Sequence, residues 1–295
     1  MPRLDGAGGS PDAPPAPPWP YGAAMRRQVR RGRLVLDVDD DGSGPAVLLL
    51  HGFPQDRTSW RQVTPRLHAA GLRTLAPDQR GYSPGARPRP RRAYRLEHLV
   101  ADALAVLDAA GVARAHVVGH DWGGGVAWAL AWTHPDRVVS LTVLSTPHPA
   151  ALTAATLRSA QLLRSAYMGL FQLPGLPELL LRHRLEAALT ASGLPPDTAR
   201  HYQRRLREPG AARAALGWYR AVPLTRLRPR PVPVPTTYVW GRRDPFLGAA
   251  AARRTERHVT ADYRFVPLDA GHWLPELASE AVAEAVVRRA VEGER

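Results

Sequence analysis

Gly119-His120-Asp121-Trp122-Gly123-Gly124 is the stretch whose reading decides the fold. The apolar run Ala115 to Val118 before it reads as a strand, and Trp122 to Thr133 after it as a helix. A chain that passes from strand to helix through so tight a turn needs glycine around it. The central residue is then held in a strained backbone conformation with its side chain presented outward. Small-X-nucleophile-X-small at such a turn is the pattern of a nucleophile elbow, and here its centre is Asp121. The helix that follows points its free N–H groups and positive dipole end at the same place, which favours negative charge there. An Asp can also do no more than cap the helix, so the turn alone leaves both readings open.

Outward from the turn, short apolar runs alternate with longer helical ones. Arg33 to Val38 alternates as a strand, and Ala46 to Leu50 is the continuous apolar run expected of a strand buried on both faces. Ser59 to Ala70 reads as a helix and Leu72 to Ala76 as a strand. Leu96, Leu99, Val100, Ala103, Leu104 and Leu107 then recur at helical spacing. Val138 to Leu144, Pro233 to Trp240 and Tyr263 to Leu268 read as further strands, with a last helix from Glu276. This alternation predicts an α/β fold, a mostly parallel sheet with helices on both faces. From Ala150 to about Ala221 it stops, and the chain is rich in Leu, Ala and Arg with helical periodicity and no convincing strand. An all-helical block inserted into such a sheet predicts a cap over the active site. The expected division is a disordered tail over 1–24, a first part of the core over 25–147, the cap over 148–229 and the rest of the core over 230–295.

Two more residues complete a constellation with Asp121. Asp244, in Trp240-Gly241-Arg242-Arg243-Asp244-Pro245, and His272, in Ala270-Gly271-His272-Trp273, each lie just past a strand. Side chains that do chemistry gather at strand C-terminal ends in parallel sheets. The order Asp121, Asp244, His272 is that of nucleophile, acid and histidine in an elbow-bearing fold. His51-Gly52-Phe53-Pro54 follows directly on the buried strand Ala46 to Leu50, and Asp78 to Ser83 follows the strand after it. Asp78 with Arg80 reads as a structural ion pair that braces these loops.

The formal net charge of +14 suggests a polyanion partner at first sight. All 40 basic residues are arginine, however, and lysine, isoleucine and asparagine are absent. Those three have AT-rich codons, so a GC-rich genome accounts for the bias, and no specific nucleic-acid partner is expected. The absence of cysteine excludes disulfides and thiolate chemistry and suits a cytoplasmic protein. No apolar run is long enough to span a bilayer, and Met25 stands as a second candidate start of translation.

On His51 to Pro54, Asp78 to Ser83, Gly119 to Gly124, Trp240 to Asp244 and Gly271-His272-Trp273, the chain from about Met25 onward resembles the epoxide hydrolase branch of the α/β-hydrolases, above all the soluble type. Most of these motifs are shared with haloalkane dehalogenases. The resemblance implies two tyrosines in the cap that donate to the epoxide oxygen. One lies before a Phe-Gln-X-Pro-Gly stretch and the other in an aromatic pair before Arg, which places them at Tyr167 and Tyr219. It also implies an oxyanion hole from the N–H groups of Phe53 and Trp122, and substrate contacts from Phe171 and Trp218. Leu170, Phe171, Leu173 and Leu176 suggest an apolar pocket. The expected chemistry is attack by Asp121 on an apolar epoxide, then hydrolysis of the ester by water that His272 activates, with no cofactor or metal. The expected protein is a monomer or homodimer. A dehalogenase or other Asp-nucleophile hydrolase, and a catalytically silent ligand-binding protein on the same fold, are the alternatives. Phe53 stands where a dehalogenase often has an Asn halide donor, which favours the epoxide.

Overall fold

The computed structural model describes residues 25–156 and 167–293. The expected disordered tail over 1–24 lies outside the described residues. The described strands are β1 (Met25–Arg31), β2 (Leu34–Asp41), β3 (Ala46–Leu50), β4 (Arg73–Pro77), β5 (Ala115–His120), β6 (Val138–Leu144), β7 (Thr236–Gly241) and β8 (Tyr263–Leu268). They form one sheet in the order β1-β2-β4-β3-β5-β6-β7-β8. The β1–β2 and β2–β4 pairs are antiparallel and the remaining pairs are parallel.

The continuous apolar run of β3 has the cause its sequence suggested. Val47 and Leu49 face one layer with Leu67, Val282 and Val286, while Leu48 and Leu50 face the other with Val106, Leu107 and Val126. Helices Thr64–Ala69 and Ser279–Gly293 thus cover one face, and Leu96–Ala109 and Trp122–Thr133 the other. A strand between two helical layers has no polar side, so period-two alternation vanishes.

The edge departs from expectation. The basic stretch from Met25 is itself a strand, paired with β2 along its whole length. Its arginines hide its strand character, but Arg27 reaches Asp40 at 2.9 Å and Arg31 reaches Asp102 at 3.1 Å. β7 begins at Thr236 rather than Pro233, because Pro233 and Pro235 have no N–H to give a ladder. Ser59 to Ala70 splits into a short 3-10 turn over Arg57–Trp60 and the helix Thr64–Ala69, which takes Pro65 in its first turn.

Between β6 and β7 the described residues form the helices Pro149–Thr156, Tyr167–Leu170, Leu176–Ala191, Pro196–Arg207 and Ala211–Ala221, and no strand. Ion pairs and close packing fasten this insertion to the loops at the strand ends. Arg205 reaches Asp56 at 3.2 Å and Asp78 at 3.1 Å, and His201 lies 2.9 Å from Asp56. Gly217 meets the Tyr94 ring so closely that a Cβ would stand 2.6 Å from it. The expected Asp78–Arg80 pair does not form. Arg80 instead forks onto Asp102 at 2.6 and 2.7 Å, while Asp78 is held by Arg57 and Arg205. Arg80 points toward the helix Leu96–Ala109, whereas Asp78 points to the insertion. Among the described residues no helix is long and apolar enough to cross a membrane.

Candidate active site

The sequence GHDWGG sets the geometry of the elbow. Asp121 has φ 50° and ψ −121°, a left-handed backbone in a non-glycine residue. A Cβ on Gly123 would stand 2.1 Å from the Leu50 carbonyl oxygen, and one on Gly119 2.4 Å from that of Gly123. The turn therefore closes only with glycine at these places. Thr146 Oγ1 donates to the Asp121 carbonyl at 2.6 Å and helps fix the strained residue. The helix begins at Trp122, whose N–H is among the first-turn donors that have no partner within the helix.

The loop after β3 meets the same carboxylate. The N–H of Phe53 donates to Asp121 Oδ1 at 2.8 Å. Gly52 is forced by this contact, since a Cβ there would lie 2.4 Å from Asp121 Cβ. The other oxygen, Oδ2, lies 3.6 Å from His272 Nε2. On the far side of the ring, His272 Nδ1 lies 2.8 Å from Asp244 Oδ2. Asp244 Oδ1 accepts from the N–H groups of Phe246 at 2.8 Å and Leu247 at 3.0 Å, so its orientation is fixed. The side chains of His272 and Asp244 are 3% and 0% exposed, against 18% for Asp121. Asp121 is thus the member of the three that an incoming molecule can reach.

The charges follow from this packing. Burial opposes an imidazolium at His272, but the carboxylates of Asp244 and Asp121 outweigh it and raise its pKa to about 10. Burial likewise opposes ionisation of Asp121, yet His272, His120 and the Phe53 amide hold its pKa below the usual value.

The structure also brings the two insertion tyrosines together. Tyr167 and Tyr219 have ring centroids 6.1 Å apart, and Tyr219 stands 4.8 Å from Trp122 and 5.1 Å from Phe53. Both phenols are pushed well above their ordinary pKa, first by burial and also by the charge of nearby Asp121. They are therefore neutral donors. Phe171 packs on Tyr219 at 4.9 Å and on Phe53 at 5.8 Å. Trp218 is buried, donates its indole N–H to the Arg80 carbonyl at 2.7 Å, and faces Trp122 at 6.0 Å. The leucines expected beside them go elsewhere. Leu170, Leu173 and Leu176 are 37%, 50% and 49% exposed, so only Phe171 of that group turns inward. The inner face of the helix Leu176–Ala191 is already filled by Leu181, Leu185 and Leu189.

Several polar residues near the site escaped the sequence reading. His120 Nε2 lies 2.9 Å from the His272 carbonyl and its Nδ1 2.7 Å from Gln55 Oε1. Ser145, at φ 65°, donates Oγ to the same His272 carbonyl at 2.9 Å. Gln55 also reaches Glu276 at 2.7 Å. His120 lies within the motif Gly119 to Gly124 and Gln55 directly follows His51 to Pro54, whereas nothing in the sequence marks Ser145 or Glu276 as site residues.

Comparison with known proteins identifies the family. Residues 45–278 match the model of the alpha/beta hydrolase fold family. An AB hydrolase superfamily protein of Bacillus subtilis, YfhM, is 36% identical over 273 residues, which span 87% of this chain and 96% of that protein. Epoxide hydrolase A of Mycobacterium tuberculosis is 31% identical, over 90% of this chain and 97% of that protein. Among solved structures, an epoxide hydrolase from metagenomes of hot environments superposes with a TM-score of 0.80 at 27% identity, covering 91% of this chain and 99% of the other. Epoxide hydrolase A from Mycobacterium thermoresistibile gives 0.77 at 26% identity, covering 90% and 98%.

Proposed function

The chain belongs to the α/β-hydrolase family, on its epoxide hydrolase branch, and from that premise we propose that it opens an apolar epoxide to a diol through an ester on Asp121. One observation carries the reading. Asp121 is held by the Phe53 N–H on one oxygen, faces His272 with the other, and lies beside a pair of neutral tyrosines. A serine could acylate only at a carbonyl, whereas a carboxylate can displace at a saturated carbon.

In the first step Asp121 Oδ2 attacks a ring carbon, the carbon–oxygen bond breaks, and Tyr167 and Tyr219 donate to the departing oxygen. A proton from that pair completes the hydroxyl. In the second step His272, steadied by Asp244, takes a proton from water as the water adds to Asp121 Cγ. The negative charge then falls on Oδ1, where the Phe53 N–H already points and the Trp122 N–H adds a second donor. Collapse expels the diol, whose oxygen regains the proton from His272. Asp121 gives up its remaining proton, which restores the tyrosine pair. We read the helical insertion as a cap, and Phe53, Phe171 and Trp122 set an apolar aromatic surface around Tyr219, which suits an apolar substrate. Trp218 contributes by backing Trp122. No step calls for a cofactor.

The test is to trap the ester. His272→Gln, incubated with an aryl or alkyl epoxide, should carry a mass increase of one substrate on the peptide containing Asp121. If no epoxide yields that adduct, the covalent reading fails.

A further inference from the structure

Glu276 follows His272 by one turn of chain and begins no role in the chemistry above. Its side chain is nonetheless directed inward. Oε1 accepts from Gln55 Nε2 at 2.7 Å and from the Tyr202 hydroxyl at 2.8 Å. Oε2 is sealed from solvent and has no hydrogen-bond partner among the described residues. Burial raises the pKa of this carboxyl.

Gln55 is fully buried, and its amide could in principle present either end to its surroundings. Its neighbours decide which. Glu276 Oε1 already receives the Tyr202 hydroxyl and offers Gln55 an acceptor, so the NH2 group of Gln55 faces Glu276. The Gln55 carbonyl then faces the Gly52 N–H at 3.1 Å and His120 Nδ1 at 2.7 Å. Turned the other way, the amide would set N–H against N–H at Gly52. One of these recipients leads to a reacting group. Gly52 precedes Phe53, whose N–H holds Asp121 Oδ1 at 2.8 Å. His120 is a neutral ring, its pKa pushed down to about 3 by burial, so with Nδ1–H given to Gln55 it has no N–H left for the His272 carbonyl, 2.9 Å from Nε2. One carboxyl, through one amide, thereby reaches the oxyanion donor. Tyr202 ties the same oxygen to the helix Pro196–Arg207 of the insertion.

We propose that Glu276 is a positioning residue for breakdown of the Asp121 ester, fixing the Gln55 amide so that the Phe53 N–H stays in register with Asp121. This rests on the ester mechanism proposed above. Breakdown depends on it more than formation does, because full negative charge reaches Oδ1 only when water adds. Outer partners that orient reacting groups in this way commonly matter by one to two orders of magnitude.

The experiment is single-turnover kinetics on the full chain with an apolar epoxide, following the Asp121 ester by quench and mass spectrometry. Glu276→Leu and Gln55→Leu should each slow ester decay by about 30-fold and alter ester formation by less than about threefold. Glu276→Gln keeps an acceptor carbonyl and should hold decay within about threefold of the parent. A second readout needs no substrate: amide hydrogen exchange in the peptide carrying Gly52 and Phe53 should rise in Glu276→Leu and stay unchanged in Glu276→Gln. If Glu276→Leu does not fold, Glu276→Met takes its place with the same expectations. Decay and exchange at parental values in the apolar variant overturn the inference and leave the ester mechanism standing. Equal slowing of both steps, or a Glu276→Gln as slow as Glu276→Leu, also overturns it. A parent that never forms an ester overturns the mechanism instead, while the exchange comparison still decides whether Glu276 orders the loop.

Discussion

His272 Nδ1 lies 2.8 Å from Asp244 Oδ2, a contact that steadies the ring and favours its protonated form. Burial works against the charged ring, but Asp244 and Asp121 together raise its pKa to about 10. In the resting protein at neutral pH the ring is therefore protonated and cannot accept a proton. On the proposed mechanism, forming the ester removes the charge of Asp121, which lowers the pKa of His272 and lets the ring release its proton to solvent. The ring would then act as a base only once there is an ester to hydrolyse. Ester formation should accordingly be flat between about pH 6 and 9, while ester decay rises with pH along one titration centred below about 10. Stability has the matching sign. A folded pKa above the unfolded one stabilises fully below about pH 6.5, and that contribution is lost as pH rises through about 10. Thermal midpoints should fall on the alkaline side, and Asp244→Asn should flatten that fall. The same variant should slow ester decay by roughly 10²-fold or more, since the ring then loses its orienting acceptor.

Gly52 lies where a side chain would strike Asp121. A Cβ placed there would lie 2.4 Å from Asp121 Cβ and 2.7 Å from its Oδ1. Gly52→Ala is thus expected to displace Asp121 or the Phe53 N–H that holds it. A misplacement of about 1 Å at a reacting group can cost about 10²-fold in rate. The expected result is a drop in kcat of that order with the circular dichroism spectrum unchanged. Wild-type turnover in Gly52→Ala would mean that the Phe53 amide is not where the reaction draws its support.

Tyr167 and Tyr219 distinguish the epoxide reading from the dehalogenase one. Their raised pKa values keep both phenols protonated at neutral pH, ready to donate to an oxygen that leaves as alkoxide. A halide needs no such proton. Tyr167→Phe with Tyr219→Phe should reduce ester formation from epoxides by more than about 10²-fold. Any halide release from haloalkanes should change little. The reverse outcome, retained epoxide opening with lost halide release, would favour a dehalogenase.

Much of this site was legible in the sequence, for a physical reason. Close backbone approach needs glycine, and strand ends carry the reacting groups, so Gly119 to Gly124, Asp244 and His272 stand out as local patterns. The aromatic wall was legible only in part. Helical spacing places Leu170, Leu173 and Leu176 near Phe171, but cannot say which face of the segment turns inward. Long-range polar partners were out of reach. Arg80 lies two residues from Asp78, yet it pairs with Asp102, because chain direction after β4 rather than proximity in sequence chooses the partner. Glu276 and Gln55, far apart in the chain, meet only once the sheet has brought β3 and the segment after β8 to the same end. β1 was hidden because its arginines find carboxylates on neighbouring elements rather than an apolar layer.

The pair of Arg80 and Asp102 yields a stability prediction that also bears on function. Arg80 Nε and Nη2 lie 2.7 and 2.6 Å from the two oxygens of Asp102, with the side chains only 4% and 7% exposed. Asp102 has a second partner in Arg31 at 3.1 Å, but that guanidinium is 32% exposed and touches one oxygen. Arg80→Leu therefore leaves a buried carboxylate half-compensated and should cost about 3–5 kcal/mol in urea denaturation. Arg80→Lys should recover only part of this, since an ammonium cannot make the two-pronged contact. Replacing both residues with leucine should cost less than Arg80→Leu alone, because no charge is then stranded. The backbone of Arg80 carries the effect further. Its carbonyl accepts the Trp218 indole N–H at 2.7 Å, and Trp218 directly precedes Tyr219. Loosening the Arg80 turn should slow epoxide opening more than ester decay, and the same single-turnover measurement separates the two. A variant that loses stability while both steps keep their rates would show that Trp218 holds Tyr219 without help from this turn.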